Sequence, residues 1–124
     1  MKSIFTLLFT LFSLSASYSQ SKPSLYINGF PIDSIQVEYI EAETCNITFS
    51  NLMFLEIDFG QETKFLNNRL KRVADKNGDY IEFNSNMDAL NHLTEIGFDL
   101  INTEYLRMKN DEIRVKYLLK KKSK

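Results

Sequence analysis

Ser85-Asn86-Met87-Asp88-Ala89-Leu90-Asn91-His92-Leu93-Thr94-Glu95-Ile96-Gly97-Phe98 is the stretch whose reading decides the fold. It reads as one capped helix that feeds directly into strands. Ser85 is an N-cap candidate, because its hydroxyl can accept from a backbone N–H that the first turn leaves without a partner. Asp88 follows three residues later, in capping-box position, and puts negative charge at the positive end of the helix dipole. Met87, Ala89, Leu90, Leu93 and Ile96 recur at three- and four-residue steps and are expected to share the buried face. Asn91, His92 and Glu95 are expected to fall away from it. Gly97 is placed to take a positive φ just past the last turn, which would turn Phe98 back toward Leu93. Such a helix, about three turns long, is marginal alone and has to be held by packing.

The chain has 124 residues, 44% hydrophobic and 25% charged, with a net charge of −1. These values describe one ordinary globular domain. No long basic block is present, so nucleic acid is not expected as a partner.

The N-terminus reads as an export signal. Lys2 precedes the apolar run Ile4 to Phe12, and small residues follow through Ser19. Ser17-Tyr18-Ser19 fits the small-x-small cleavage rule, with cleavage between Ser19 and Gln20. A membrane anchor is the competing reading, but the run falls short of the roughly 20 apolar residues a span requires. No stable membrane insertion is expected after cleavage. Residues 1–19 are thus assigned to the leader, 20–34 to an N-terminal arm and hairpin, 35–120 to a single domain and 121–124 to a basic tail.

Outward from the helix, the rest reads as sheet. Asn28-Gly29 between Leu25-Tyr26-Ile27 and Phe30-Pro31-Ile32 is a hairpin signal, since both turn positions need positive φ. Pro31 lacks a donor and belongs at an edge. Ser34 to Ala42 alternates, with Ile35, Val37 and Tyr39 expected on the buried side and Glu41 to Thr44 as the exit. Met53, Leu55, Ile57 and Phe59 alternate with Phe54, Glu56 and Asp58 in a strand ending at Gly60. Leu66, Leu70 and Val73 allow a helical turn. The Asn77-Gly78 turn favours instead a hairpin of Leu70–Ala74 against Asp79–Phe83. After the helix, Ile101, Thr103 and Tyr105 are expected to alternate with Leu100, Asn102 and Glu104. Lys109-Asn110-Asp111 is a turn, and Ile113, Val115, Tyr117 and Leu119 form the inner face of the last strand. The expected fold class is α+β: a mainly antiparallel sheet with one helix packed on one face.

Ile57-Asp58-Phe59-Gly60-Gln61, Phe83-Asn84-Ser85 with Asp88-Ala89-Leu90-Asn91, Gly97-Phe98-Asp99-Leu100 and Tyr117-Leu118-Leu119-Lys120-Lys121 together resemble a group of short exported proteins of unknown function from Bacteroidetes. The later half is also similar to a broader uncharacterised bacterial family whose helix ends at Gly-Trp-Glu-Leu and leads into a closing pair of strands. Phe98 and Asp99 stand where that family has Trp and Glu, so the aromatic at the helix stop is kept. The resemblance spans residues 57–121 and implies the compartment and the fold, not a chemistry.

Candidate chemistry is sparse. His92 is the one histidine and Cys45 the one cysteine. Asp88, His92 and Glu95 could converge on one helix face, but structural zinc wants four ligands, and a solvent-facing His beside carboxylates is the expectation. Cys45 with His92 is the one nucleophile–base pair available. Cys45 reads more simply as a small apolar residue in or beside a strand. Glu56 and Asp58 share a strand face and could form a carboxylate pair with one raised pKa. The wet face of an antiparallel sheet accounts for them equally. Asp75-Lys76-Asn77-Gly78-Asp79 has a calcium-loop flavour but lacks the glycine placement and the closing Glu. Asn46-Ile47-Thr48 matches a glycosylation sequon, which matters only in a eukaryotic route. Lys120 to Lys124 reads as a solvated end. Tyr26, Tyr39, Tyr80, Tyr105 and Tyr117 offer a possible interaction face.

No residue is therefore assigned a catalytic, cofactor-binding or metal-ligating role, and no cofactor is expected. Ser85, Asp88, Leu93, Gly97 and Phe98 are the structural positions. The functional expectation is an exported, non-enzymatic binding or accessory module of the cell envelope with a possible protein partner there. The alternatives are a small carboxylate- or metal-assisted hydrolase and a part of a larger envelope assembly.

Overall fold

The computed structural model describes residues 24–62 and 71–123. The leader with its Ser19–Gln20 junction, and Leu66 and Leu70, lie outside the described residues. The elements in chain order are β1 (Tyr26–Ile27), β2 (Phe30–Pro31), a 3₁₀ turn (Ile32–Ser34), β3 (Tyr39–Asn46), β4 (Met53–Asp58), β5 (Glu82–Phe83), α1 (Asn86–Glu95), β6 (Phe98–Arg107) and β7 (Ile113–Lys121). Five strands form one sheet in the order β5-β4-β3-β7-β6, every neighbouring pair antiparallel. The chain leaves β5 at one edge and re-enters at β6, the other edge, so the intervening helix crosses one face of the sheet. The protein is an α+β domain with a mainly antiparallel sheet and a single helix among the described residues.

Capping residues set both ends of that helix. Asp88 N–H donates to Ser85 Oγ at 3.1 Å, and Ser85 is extended at φ −162°. Asp88 Oδ2 in turn accepts from Asn84 N–H at 3.0 Å, one residue before the cap. At the far end Gly97 sits at φ +114° and donates its N–H to Thr94 O at 3.3 Å. The chain turns there, and Phe98 and Leu93 enter the same core cluster, both fully buried. Ala89, Leu90 and Leu93 of the helix share that core with Leu55 and Ile57 of β4, Ile40 and Ala42 of β3, and Tyr117 and Leu119 of β7. Thr44 Oγ1 donates to Asn86 Oδ1 and ties the start of the helix to β3.

The helical stripe is rotated from the expected one. Met87 is 61% exposed and His92 only 6%. At about 100° per residue Met87 stands roughly 120° around the helix from Leu93, and His92 roughly 100° on the other side. Both are flank positions. The sheet closes over the His92 flank, where Phe83 of β5 meets the imidazole edge-on at 5.6 Å, and leaves the Met87 flank open.

Three strand expectations are also corrected. Ile35 and Val37 do pack against the core, but from an irregular segment, and β3 begins only at Tyr39. The alternation resets there, so Ile40 and Ala42 point inward and Tyr39 outward. Glu41 to Thr44 is the middle of the strand, not its exit. In β6 a bulge falls between Leu100, which pairs with Leu119, and Asn102, which pairs with Leu118. Ile101 is the extra residue, so Leu100 shares the inner side with Thr103 and Tyr105 in place of Ile101. The turn at Asn77-Gly78 is present, with Asp75 N–H donating to Asp79 O at 2.8 Å. Its arms pair at a single bridge, Ala74 with Tyr80, and then lie along the edge of β4, where Val73 N–H reaches Leu55 O at 2.8 Å. Tyr26 bridges to Ala74 and hangs the β1–β2 hairpin on that edge.

The basic end is bound rather than solvated. Lys121 closes β7, and its ammonium donates to Asp33 O at 3.1 Å and Ile35 O at 2.9 Å. Lys122 donates its N–H to Gly97 O at 2.8 Å and its ammonium to Thr94 O at 3.1 Å. The last turn of a helix leaves carbonyls without partners, and a cation there also meets the negative end of the dipole.

Candidate functional site

Strand parity sorts every candidate onto one face or the other. Cross-strand partners share a face. Ala42 lies opposite both Ile57 and Tyr117, and these define the helix side. Glu41, Glu43 and Cys45 of β3, Phe54, Glu56 and Asp58 of β4, and Arg114, Lys116 and Lys120 of β7 define the outer side.

On the outer side the two central strands hold the acids and their neighbours hold the bases. Glu43 is directly opposite Glu56, and Glu41 directly opposite Asp58. Arg114 approaches Glu43 at 3.4 Å and Lys116 approaches Glu41 at 3.6 Å. From the other flank Arg72 reaches Glu56 at 3.2 Å, and Lys71 pairs with Asp58. The four carboxylates with Lys71, Arg114 and Lys116 line a shallow polar cleft of about 200 Å³.

Electrostatics here runs against acid–base catalysis. The Lys71 ammonium and the Gly60 N–H hold the Asp58 carboxyl below the ordinary aspartate value. A carboxyl that serves as general acid near neutral pH needs the opposite shift. Burial, followed by the charges of Glu56 and Glu43, pushes the Cys45 thiol up to about 11. The thiolate is the nucleophile, so a thiol held protonated is an inert one.

The sequence candidates do not converge. Phe83 lies opposite Met53, which shares the inner side with Leu55 and Ile57, so His92 sits with Phe83 on the helix side. Cys45 lies opposite Phe54 on the outer side. The sheet therefore separates His92 from Cys45 and from the Glu56–Asp58 pair. His92 is buried, which corrects the expectation of a solvent-facing side chain, while Asn91 and Glu95 are exposed. Among the described residues no group of three or more His, Cys, Asp or Glu side chains is arranged to hold a metal ion. The Asp75 carboxylate accepts from Asn77 N–H at 2.8 Å and Asp79 N–H at 3.1 Å, so it shapes its own turn. The tyrosines do not form one face either. Tyr105 and Tyr117 are on the helix side, and Tyr39 is on the outer side.

Arg72 drew no attention in the sequence. Its guanidinium lies 4.4 Å from the Phe54 ring centroid and 5.2 Å from that of Tyr80, besides pairing with Glu56. The signal for it was Phe54, an aromatic on the outward parity of an otherwise acidic strand face, which needs a partner to cover it.

Two apolar features remain. A cleft of about 360 Å³ lies between the N-terminal hairpin and the exit of β4, with Ile27, Phe30, Ile35 and Phe59 in its walls. The terminal β6–β7 hairpin carries the second: Leu100, Ile101, Tyr105 and Ile113 are 43%, 53%, 72% and 65% exposed. The helix crosses nearer the start of β6 and leaves the rest of that strand uncovered. Among the described residues no helix is long and apolar enough to cross a membrane.

Compared with models of protein families, with curated proteins and with solved structures, the chain shows no significant match.

Proposed function

We propose that the chain is exported and works in the cell envelope as a small non-enzymatic binding module, with the exposed side of the β6–β7 hairpin and the outer edge of β6 as its contact surface. The observation that carries this reading is the cluster of Leu100, Ile101, Tyr105 and Ile113 on one terminal hairpin. A partner that covers them gains apolar burial, at about 25 cal/mol per Å², and the free edge of a terminal strand offers main-chain pairing as well. Export is supported by Lys2, the apolar run Ile4 to Phe12 and Ser17-Tyr18-Ser19, and by the resemblance to short exported proteins.

Two observations weigh against the hydrolase alternative. The carboxylates on the outer face are neutralised by their own cations, and His92 lies on the other side of the sheet. A photo-crosslinking residue placed at Ile101 in the producing cell tests the contact surface, with the remote turn residue Lys76 as control. A discrete product from position 101 alone is expected. Equal or absent products at both positions would remove the hairpin from consideration. Sequencing the N-terminus of the exported chain should return Gln20 first, and retention of Lys2 would overturn the export reading.

A further inference from the structure

We infer that the partner on this edge is a second copy of the chain, with the two β6 strands pairing antiparallel about Thr103. The inference rests on reading the β6 edge as the contact surface.

β6 is the last strand in the sheet, and its outer edge has no strand partner among the described residues. Its residues are close to a palindrome in chemistry once the bulge is allowed for. Ile101 stands outside the ladder, so Phe98, Asp99, Leu100 and Asn102 precede Thr103, and Glu104, Tyr105, Leu106 and Arg107 follow it. A twofold axis through Thr103 sets Asn102 against Glu104, Leu100 against Tyr105, Asp99 against Leu106 and Phe98 against Arg107. Every one of these pairs falls on a common face, as a continuous sheet requires. Leu100 with Tyr105 places two exposed apolar side chains together on the helix side, twice per dimer. Asn102 can donate to the Glu104 carboxylate on the outer side. Thr103 opposite Thr103 is a favourable cross-strand pair.

Charge selects the direction and the register. Asp99 lies near one end of the strand and Arg107 at the other. An antiparallel copy brings the acidic end of one edge to the basic end of the other, while a parallel copy would lay like on like. Moving the axis to Glu104 would set Glu104 against itself, which is destabilising. An isologous contact of this kind closes on itself and leaves no further edge to propagate.

The test is sedimentation of the full chain over a concentration series, with circular dichroism to check folding. A reversible dimer is expected. Leu100→Lys with Tyr105→Lys should weaken it at least about tenfold, because both apolar pairs are lost and cations face each other. Leu100→Glu with Tyr105→Glu should do the same alone. An equimolar mixture of the Lys and Glu variants should form a heterodimer. Independently, Thr103→Cys should cross-link to itself on mild oxidation, and Leu106→Cys should not. A chain that stays monomeric to about 0.1 mM overturns the inference, as does a dimer that tolerates the Lys pair. A monomeric chain whose Ile101 probe captures a different protein also overturns it, but leaves the contact surface standing. The absence of any product at Ile101 would remove both.

Discussion

Glu43 of β3 stands directly opposite Glu56 of β4 at the centre of the sheet's outer face. Like charges in that position destabilise a strand pair unless other charges offset them. Arg114 and Arg72 do so from the two flanks, at 3.4 Å from Glu43 and 3.2 Å from Glu56. Taken with Glu41 opposite Asp58, the face is a zero-sum patch, with acids on the inner strands and bases on their neighbours. Such an arrangement fixes which strand sits beside which, because shifting either neighbour by one position would leave the acids facing one another bare.

Arg114→Ala should therefore lower stability by about 0.5–1 kcal/mol, the range for partly exposed pairs. Part of that loss should return in the double variant with Glu43→Gln, because the uncompensated repulsion with Glu56 is then gone. Urea denaturation of the four species of the cycle reads the coupling. Raising salt should shrink it. Additive losses would mean that the pair does not interact.

Asp58 sets a pH dependence whose sign follows from its partner. Lys71 and the Gly60 N–H hold its folded pKa below the ordinary value of about 3.9. The unfolded chain thus binds the proton more readily. The contribution of Asp58 is complete above about pH 4 and disappears as pH falls through the lower, folded value. Half-exposed as it is, its share is small. Stability measured between about pH 5 and 2 should fall less steeply in Asp58→Asn than in the parent chain, and the curves should converge at the acid end. Parallel curves would show that Lys71 does not perturb this carboxyl.

The helix stop rests on backbone conformation rather than on space. A Cβ at Gly97 would meet nothing within 4 Å, yet φ is +114°. Gly97→Ala should cost about 1–2 kcal/mol through that dihedral alone. For a domain of this size the melting temperature should fall by several degrees, about 4–8 °C per kcal/mol. An unchanged melting temperature would mean that the chain can leave the helix another way.

How much of this was written in the sequence depends on whether the information is local. Ser85, Asp88, Gly97, the Asn28-Gly29 turn and the parity of β4 are set by residues a few positions apart, and all are found where local rules put them. His92 and Met87 show the limit. Both flank the same apolar stripe at similar angles, and only the distant Phe83 decides which of them is buried. The parity of β6 was misjudged for a related reason. A bulge adds a residue without a sequence signature, and everything on one side of it changes face. The outer-face charge patch was half legible: Glu56 and Asp58 could be seen sharing a face, but their cations come from residues 71, 72, 114 and 116, which only the sheet order brings near. The final lysines looked like a solvated tail because the carbonyls they meet belong to an irregular arm and a helix end far away in the chain.

Those lysines give the last test. The Lys121 ammonium bridges Asp33 O and Ile35 O, and its backbone N–H donates to Glu38 O at 2.7 Å. One residue thus fastens the segment that lies between the 3₁₀ turn and β3, where no strand pairing holds the chain. Hydrogen bonds from a charged donor contribute about 1.5–3 kcal/mol when well placed, and somewhat less near solvent. Lys121→Met keeps the stem and the backbone bond but removes the ammonium. It should cost on the order of 1 kcal/mol. Its effect should be local: amide exchange should quicken for Ile35 to Glu38, with the strands β3 and β7 little changed. Uniform acceleration across the whole sheet would instead mean that the arm opens only when the domain unfolds, and that Lys121 adds to global stability without acting as a separate clasp.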